Sequence, residues 1–420
     1  MAASDLSLFF GSRAERIALA RQRYFEEGQL PSGIVSDAVF ESWARCQRLH
    51  PGPGKKVAFQ PVSTSRTHLA LQKNRDLMDA WLDELPALQA VLGATSCAAM
   101  LTDATGVLIG ATCVGRAHEM LMPIATRTGV NLCEEAVGTT APGVAARTGQ
   151  AVSVFAGEHF FDSIKTMHCA AAPIRDTRGN VAGVLDLSSE TIPFRFDASI
   201  VVGLHATGIE NRLLISQSVE HLIIRFQVDA KLLDSQLAAL IGIDSTGELA
   251  WMNGTASRLL GLSSAARAGK QESVEAATGA SFSQLASLAR KEPAVLQLPN
   301  GLMVWARSEM RAADGHRGLV QGWKDVPIET VQQQRKPLES EKTGIVGEPI
   351  TNDANLGSTQ TKSESQGQQV GLETPLERLR DCSKDIIERT LQHYDGNVSK
   401  AARKLGVSRG LIYRRLNGRG

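Results

Sequence analysis

Two histidines and a cysteine stand close enough in the sequence to form a metal site, a redox switch or a nucleophilic pair. With the acidic residues of the same stretch, the candidates are Glu134, Glu135, His159, Asp162, His168 and Cys169. Mixed nitrogen, oxygen and sulfur ligands suit iron or zinc, and a thiol beside an imidazole suits nucleophilic chemistry. The spacing is irregular, however, and adjacent His168 and Cys169 would point to opposite faces of a strand. We therefore favour residues that shape a small-molecule pocket, and we predict no cofactor, metal or catalytic residue.

A tight turn and one acidic residue in a strand could complete such a pocket. The turn is Gly138-Thr139-Thr140, and Asp186 lies near the end of a strand-like run. Ligand pockets are mostly apolar with a few placed polar groups, although a turn and a capped strand are also purely structural features. The predicted ligand-binding residues are Glu135, Gly138, Thr139, His159, His168, Cys169 and Asp186.

A second set of residues, close to the end of the sequence, is typical of DNA binding. Two short helical patterns flank Gly406-Val407, where glycine permits a tight turn, and small Ala402 permits a close helix crossing. Ser408 is suited to cap the second helix. Residues 376–420 carry eleven basic and five acidic side chains, which favours phosphate binding over a solvated helical hairpin. The pattern predicts a helix-turn-helix at residues 397–416.

The spacing also assigns roles within that motif. Arg409, Tyr413 and Arg414 are expected to face the major groove, where arginine makes bidentate bonds to guanine. Ser399, Lys400 and Lys404 are expected to contact phosphates. The predicted DNA-binding residues are Asn397, Ser399, Lys400, Lys404, Ser408, Arg409, Leu411, Tyr413, Arg414 and Arg415.

Length and composition limit the number of domains and the class of protein that carries these motifs. It has 420 residues, which suggests two to four domains, and 43% hydrophobic residues, which is enough for real cores. Its six cysteines show no CxxC pairing, which fits a reducing compartment. We find no signal peptide and no run of about 18 apolar residues, so we expect a cytoplasmic protein without membrane contact.

The pattern of the chain predicts a multidomain α+β protein with an all-α C-terminal domain. Helices are expected at Arg13–Glu27, Val35–Leu49, His68–Leu92 and Asp197–Arg225, and strands at 98–102, 107–109, 151–154, 170–174, 181–187, 239–243, 248–252, 294–297, 303–307 and 318–323. In the last of these helices, Val202, Ala206, Ile209 and Leu213 would suit a dimerising seam. The predicted divisions are an N-terminal helical region (1–66), a sensor domain (67–222), a second small α+β domain (228–323), a flexible linker (325–374) and the helix-turn-helix domain (376–420).

Several segments, in order, resemble regulators of the acetoin-catabolism type, which activate transcription with sigma-54. The resemblance lies in Glu41–Cys46, Asn131–Gly143, Gly157–Phe161, His168–Ile174 and Gly183–Ser188, and in the Fis-type helix-turn-helix. It implies a GAF-like sensor at 67–222, a PAS-like domain at 228–323 that relays or dimerises, and binding of DNA and of a small-molecule effector. A homodimer is expected, and RNA polymerase or a full-length regulator are possible partners.

The chain departs from that family in one large respect. Its members usually carry an AAA+ ATPase between sensor and DNA-binding domain, and this sequence has no GxxxxGK[ST] phosphate loop. A smaller departure is Thr140, where the family often has asparagine. We therefore expect a DNA-binding transcriptional regulator without ATP-driven remodelling of sigma-54. Two alternatives stay open: a redox or metal sensor or enzyme that uses Cys169 and His168, and a partner subunit that modulates a full-length activator.

Overall fold

The computed structural model describes residues 12–31, 33–113, 115, 118–262, 273–288, 292–311 and 317–318. The predicted linker and helix-turn-helix, with all ten predicted DNA-binding residues, lie outside these residues. The described chain is α+β and holds two antiparallel sheets, one in each of two modules. We call residues 12–217 the first module and residues 222–318 the second module; both belong to one compact unit of the chain.

The first module is built on a five-stranded sheet. Its strands are β1 (Ala98–Asp103), β2 (Leu108–Ala111), β3 (Val152–Phe155), β4 (Met167–Arg175) and β5 (Val181–Glu190). They pair in the order β2-β1-β5-β4-β3, so the long strands β5 and β4 lie inside the sheet. The five strands expected from the sequence are all present.

Within the described part of the module, eight helices surround this sheet. They are α1 (Arg13–Arg21, continued by a π-helical turn at Gln22–Glu26), α2 (Asp37–Leu49), α3 (Thr64–Lys73), α4 (Arg75–Leu92), α5 (Met122–Ala125), α6 (Glu134–Val137), α7 (Ala141–Thr148) and α8 (Ala198–Gln217). Two short 3-10 turns, Ala156–Glu158 and Asp162–Ile164, lie between β3 and β4.

Alternate residues of each strand point to opposite faces of the sheet, which gives the module two cores. On the face that carries Cys169 and Val184, the sheet shares a core with Trp43 of α2, and we call it the α2 face. On the face that carries Leu185 and Leu187, the sheet packs against α4 and α8, and we call it the α8 face.

The helix predicted over His68–Leu92 is interrupted at Asn74. The Asn74 backbone N–H and side-chain amide both donate to the carbonyl of Ala70, at 3.1 and 2.8 Å. This side-chain bond ends α3, and α4 begins at the next residue. Asparagine competes with helical hydrogen bonding in this way because its short amide reaches nearby backbone groups.

The helix predicted over Asp197–Arg225 is too long, and its proposed dimer seam is wrong. Helix α8 ends at Gln217, where the Ser218 hydroxyl donates to the Leu214 carbonyl at 2.6 Å. The four seam residues are almost fully buried in the chain's own core on the α8 face: Val202, Ala206, Ile209 and Leu213. An apolar stripe at helical spacing does not distinguish an intramolecular partner from a second copy.

The chain then enters the second module with a strand that the sequence pattern does not predict. The strands of this module are β6 (Leu222–Gln227), β7 (Ala239–Ile243), β8 (Leu249–Met252), β9 (Ala294–Gln297), β10 (Met303–Arg311) and β11 (Arg317–Gly318). The order is β11-β10-β6-β7-β8, and β9 also pairs with β10. Strand β6 is central because it pairs with β7 on one side and β10 on the other. Of the strand expected at 318–323, only Gly318 is described.

The described helices that pack on this second sheet are α9 (Gly254–Leu260), α10 (Val274–Thr278) and α11 (Phe282–Ser287). The expected hairpin is present: Asp244 Oδ1 accepts from the backbone N–H of Thr246 and Glu248, at 2.8 and 3.1 Å. Asn253 then caps α9 by accepting from the N–H of Ala256 at 2.8 Å. Among the described helices, none has both the length and the apolar character to cross a bilayer.

Candidate functional site

The N-terminal helices are part of the first module and close the α2 face of its sheet. The buried Trp43 indole N–H donates to the Glu158 carbonyl at 2.7 Å. The hydroxyls of Ser42 and Thr139 lie 2.8 Å apart in the same core. The sequence pattern indicates no chemistry in residues 1–66 and predicts only a core position for Trp43. The one feature of the sequence that could have indicated a role for Ser42 and Trp43 is the family resemblance at Glu41–Cys46, which contains both residues.

Arg21 fixes the loop that leads to His159. Its guanidinium donates to the carbonyls of Gly157, His159 and Phe160, at 3.0, 2.6 and 3.1 Å, and to Asp162 Oδ1 at 2.7 Å. Burial lowers the pKa of Arg21, while Asp162 opposes that effect. The planar fork of five N–H donors suits this set of acceptors. Arg21 and Asp162 therefore fix the position of the loop at residues 157–162.

A second ion pair anchors α2 to α6. Arg45 makes a bidentate contact with the buried carboxylate of Glu134, with Nε and Nη2 at 2.7 and 2.8 Å from its two oxygens. This bidentate geometry is the stronger form of the arginine–carboxylate pair. Glu135, one residue later, is exposed on the outer side of α6 and lies apart from the buried residues described next.

A line of buried polar side chains crosses the α2 face of the sheet. Ser188 Oγ donates to Asp186 Oδ2 at 2.6 Å and lies 3.1 Å from Cys169 Sγ. Cys169 Sγ is 3.5 Å from His159 Nε2, and His159 Nδ1 is 3.0 Å from the Ala156 carbonyl. Because that carbonyl only accepts, Nδ1 carries the proton and Nε2 is free to accept the thiol hydrogen.

Every titratable group in this line favours its uncharged form. Burial lowers the pKa of His159 to about 4 and raises the pKa of Asp186 to about 7. Burial and the charge of Asp186 raise the pKa of the Cys169 thiol well above its ordinary value. A protonated, enclosed thiol is a poor nucleophile and a poor metal ligand.

Two oxygen atoms on the same face are buried without a hydrogen-bond partner among the described residues. They are Asp186 Oδ1 and Thr102 Oγ1. Met100 pairs with Asp186 and Thr102 pairs with Val184, so both orphaned atoms belong to the α2 face and are diagonal neighbours on adjacent strands. A buried polar atom without a partner is unfavourable, so these two oxygens are polar groups of the α2 face that a bound molecule or a water could satisfy. Thr102 carries no sequence motif, so it is absent from the predicted ligand-binding residues.

His168 does not join this site. It faces the opposite way from Cys169 and lies against the ring of Phe155, with the two ring centroids 6.1 Å apart. Burial, and then the charge of Arg13, lower its pKa. The strand alternation argued from the sequence thus separates His168 from Cys169, and His159 takes the place beside the thiol. Among the described residues, no group of three or more histidine, cysteine or acidic side chains is placed to hold a metal ion.

The Gly138 turn supports the site from behind. Gly138 has φ of 71°, and a Cβ there would lie 2.8 Å from the Phe161 ring. Thr139 contacts Ser42, and Thr140 caps α7 by accepting from the Gly143 N–H at 3.4 Å. Of the seven predicted ligand-binding residues, the structure brings together His159, Cys169 and Asp186, places Gly138 and Thr139 in the supporting layer, and leaves Glu135 and His168 outside.

Comparisons with known proteins match both ends of the chain. Residues 14–204 match the family described as MimR, N-terminal domain, and residues 378–417 match the family described as bacterial regulatory protein, Fis family. The first match includes the N-terminal helices together with the five-stranded sheet. Neither of these two families is an AAA+ ATPase. The resemblance to acetoin-type regulators, with a Fis-type C-terminal helix-turn-helix, is confirmed.

Two curated relatives match part of this chain, and a solved structure also matches. The acetoin catabolism regulatory protein of Cupriavidus necator is 28% identical over 239 residues, which are 55% of this chain and 36% of the relative. The PTS-dependent dihydroxyacetone kinase operon regulatory protein of Escherichia coli is 25% identical over 250 residues, 56% of this chain and 37% of the relative. The chain therefore spans a little over a third of these relatives. The crystal structure of the E. coli DhaR(N)-DhaL complex matches with TM-score 0.40 and 16% identity, over 65% of this chain and 99% of that chain.

Proposed function

We propose that this homologue of acetoin-type regulators is a sequence-specific DNA-binding transcriptional regulator that senses a small molecule in its first module. The Fis-family match at residues 378–417 supports DNA binding, and the MimR-type match supports a regulatory N-terminal part. In this proposal the first module is the GAF-like sensor, the second module is a PAS-like relay, and the chain acts in the cytoplasm as a homodimer without ATP-driven sigma-54 remodelling.

The observation that carries the sensor proposal is the pair of orphaned oxygens, Asp186 Oδ1 and Thr102 Oγ1. A ligand bound there would meet no positive charge near neutral pH, because the pKa of His159 is lowered to about 4 and that of Asp186 is raised only to about 7. An anion would be repelled by Asp186 whenever that group ionised. The chemistry fits a small uncharged molecule with a hydroxyl or carbonyl oxygen, which can exchange hydrogen bonds with both side chains.

The ligand proposal is tested with thermal-shift and calorimetric titrations of the full chain. Acetoin and dihydroxyacetone are the first probes, because the names of the relatives contain them and both are uncharged hydroxyketones. Acetate and lactate serve as charged controls. We expect a saturable stabilisation by an uncharged probe and none by an anion. Equal responses to both classes, or binding of the anion alone, would contradict the assignment.

Thr102→Val separates a ligand-binding role from a structural one. Removing a buried hydroxyl without a partner is expected to leave the free protein as stable or more stable by about 1 kcal/mol, while binding of an active probe weakens roughly tenfold. Ser189→Ala on β5 is the matched control, because Ser189 points to the α8 face, where its hydroxyl lies 3.1 Å from Ser96 Oγ. A Thr102→Val protein that is strongly destabilised would show that the hydroxyl already has an essential partner.

DNA binding is tested by footprinting on the DNA upstream of the protein's own coding sequence, with and without the active probe. We expect protection of a two-fold symmetric site at moderate salt. Absence of protection in both conditions would refute DNA binding, and it would leave the ligand-binding result standing by itself.

A further inference from the structure

A fully buried carboxylate lies outside the candidate site, on the α8 face of the first module. Glu84 of α4 accepts from His205 Nδ1 at 2.6 Å, and it also contacts Arg212 Nη1 and Gln236 Nε2. Its side chain is 0% exposed, and that of His205 is 5% exposed. We call Glu84, His205, Arg212 and Gln236 the Glu84 node.

The node joins three parts of the chain that are distant in sequence. Glu84 belongs to α4, His205 and Arg212 belong to α8, and Gln236 precedes β7 of the second module. The carboxylate therefore holds the outer helices of the first module and an entry loop of the second module in one set of charge-assisted hydrogen bonds.

From Gln236 the hydrogen bonds continue into the core of the second module. Asn211 Nδ2 donates to the Gln236 carbonyl at 3.1 Å, and Asn253 Nδ2 donates to Asn211 Oδ1 at 2.8 Å. Asn253 Oδ1 accepts from the backbone N–H of Leu240 in β7 and of Ala256 in α9, at 3.1 and 2.8 Å. An unbroken polar path thus runs from α4, through α8, to the second sheet and its first helix.

Apolar contact between the modules cannot fix their relative position as tightly. Leu214 and Ile215 of α8 pack with Leu240 and Trp251 of the second sheet, and apolar attraction of this kind is non-directional. Displacing Gln236 or Arg212 would leave a fully buried carboxylate short of a donor, which is strongly unfavourable. The directional bonds therefore set the register of one module on the other.

We propose that the Glu84 node is the coupling element that makes α8 and the second module move as one body. Helix α8 packs on β4 and β5, the strands that carry Cys169 and Asp186 of the candidate site. A shift of those strands would reach α8 directly and pass through the node to β7 and α9. The direction of the signal rests on the proposed sensor function, whereas the coupling itself does not. Glu84 acts here as a positioning residue.

Two glycines of α8 give a matched pair of test variants. A Cβ at Gly208 would lie 2.9 Å from Glu84 Oε2 and 3.1 Å from Gln236 Cγ, so Gly208→Ala forces the node apart. A Cβ at Gly203, one and a half turns earlier, would meet nothing within 4 Å. The same substitution in the same helix therefore either breaks the node or leaves it untouched.

Hydrogen exchange of the full chain, without ligand, measures the coupling. In Gly208→Ala we expect the amides of Leu240 and Ala256 to exchange about tenfold faster or more, while the paired amides of β1 and β5 keep their protection. Gly203→Ala should match the natural chain at all of these amides. Unchanged exchange of Leu240 and Ala256, or an equal loss of protection in both modules, would overturn the proposal in favour of no role or of a general structural one.

A second variant keeps the proposal testable if Gly208→Ala does not fold. Glu84→Gln retains the shape of the side chain and removes the charge that holds Arg212. We expect the same selective loss of protection at Leu240 and Ala256, smaller in size, and a uniform loss would again overturn the coupling role. Because no ligand is added, a failure of the proposed sensor site would leave this result unaffected.

Discussion

Asp186→Asn gives the most discriminating test of the buried site, because it removes a titrating group and keeps its shape. In the folded chain burial raises the pKa of Asp186 from an ordinary value of 3.8 to about 7. The unfolded chain therefore loses this proton near pH 4, and the folded chain keeps it until near pH 7. Between these values the folded state binds more protons, so the contribution of Asp186 to stability falls as pH rises.

The size of the effect follows from the shift of about three pKa units. At roughly 1.36 kcal/mol per unit, Asp186 lowers the unfolding free energy on the order of 4 kcal/mol between pH 4 and pH 7. His159 acts in the opposite direction, because burial lowers its pKa from 6.5 to about 4. The unfolded chain takes up that proton as pH falls, so the His159 contribution rises with pH by roughly 3 kcal/mol over the same window.

Asp186→Asn removes the falling contribution and leaves that of His159 and every other titrating group in place. We expect the unfolding free energy, measured by urea titration with tryptophan fluorescence, to rise more steeply between pH 4 and pH 7 in Asp186→Asn than in the natural chain. The difference between the two profiles should be about 4 kcal/mol over this range. The amide can still accept from Ser188, so any loss of hydrogen bonding is a constant offset. Parallel pH profiles for the two proteins would refute the assignment of a buried, protonated Asp186.

Two further predictions rest on the contacts of Arg21 and Gly138, and a third rests on the sequence pattern of the helix-turn-helix. Arg21→Met should lower the unfolding free energy by roughly 3 kcal/mol or more in urea titration, because it leaves three carbonyls without their donor. The control Arg16→Met on the same helix should change the unfolding free energy by under about 0.5 kcal/mol. Equal effects of the two substitutions would contradict the role of Arg21. Gly138→Ala combines a φ of 71° with a Cβ contact of 2.8 Å to Phe161, whereas Gly28→Ala has a φ of 65° and open space around the new Cβ. Calorimetry should therefore show a clearly larger loss of Tm for Gly138→Ala. Similar losses would mean that the Phe161 ring moves aside freely. In DNA-binding assays Arg409→Ala should weaken binding by about 1–3 kcal/mol and relax specificity at one base position. The control Lys400→Ala should weaken binding to all sequences and lower the salt dependence of binding. A uniform loss of affinity for Arg409→Ala would mean that Arg409 contacts phosphate alone.

Local sequence patterns predict much of the secondary structure. The turn Asp244-Ser-Thr-Gly247 predicts the β7–β8 hairpin because the aspartate side chain and a glycine with positive φ are both needed there. The strand alternation that separates His168 from Cys169 is equally local. The Asn74 break is hidden in the sequence because the same apolar spacing continues on both sides of it.

Features that depend on contacts between distant residues could not be predicted from the sequence. Leu222–Gln227 follows an apolar helix and reads as its continuation, and it becomes a strand because β7 and β10 pair with both of its edges. Val202, Ala206, Ile209 and Leu213 form an apolar stripe in any case, and only the sheet beneath them shows that the chain itself covers it. Propensity gives way to such tertiary contacts because pairing and burial outweigh the small intrinsic preferences.

The sequence by itself determined the kind of protein: a basic helix-turn-helix pattern, motifs of acetoin-type regulators and a missing phosphate loop are all readable without coordinates. It also named His159, Cys169 and Asp186, because their side chains are of types that can do chemistry. The tertiary structure alone decided which of the predicted residues meet, that Thr102 joins them, that Arg21 and Trp43 close the site, and that Glu84 links the two modules. Those contacts join residues from ten to more than a hundred positions apart. Sequence spacing holds no information on which distant side chains a shared sheet face will bring together.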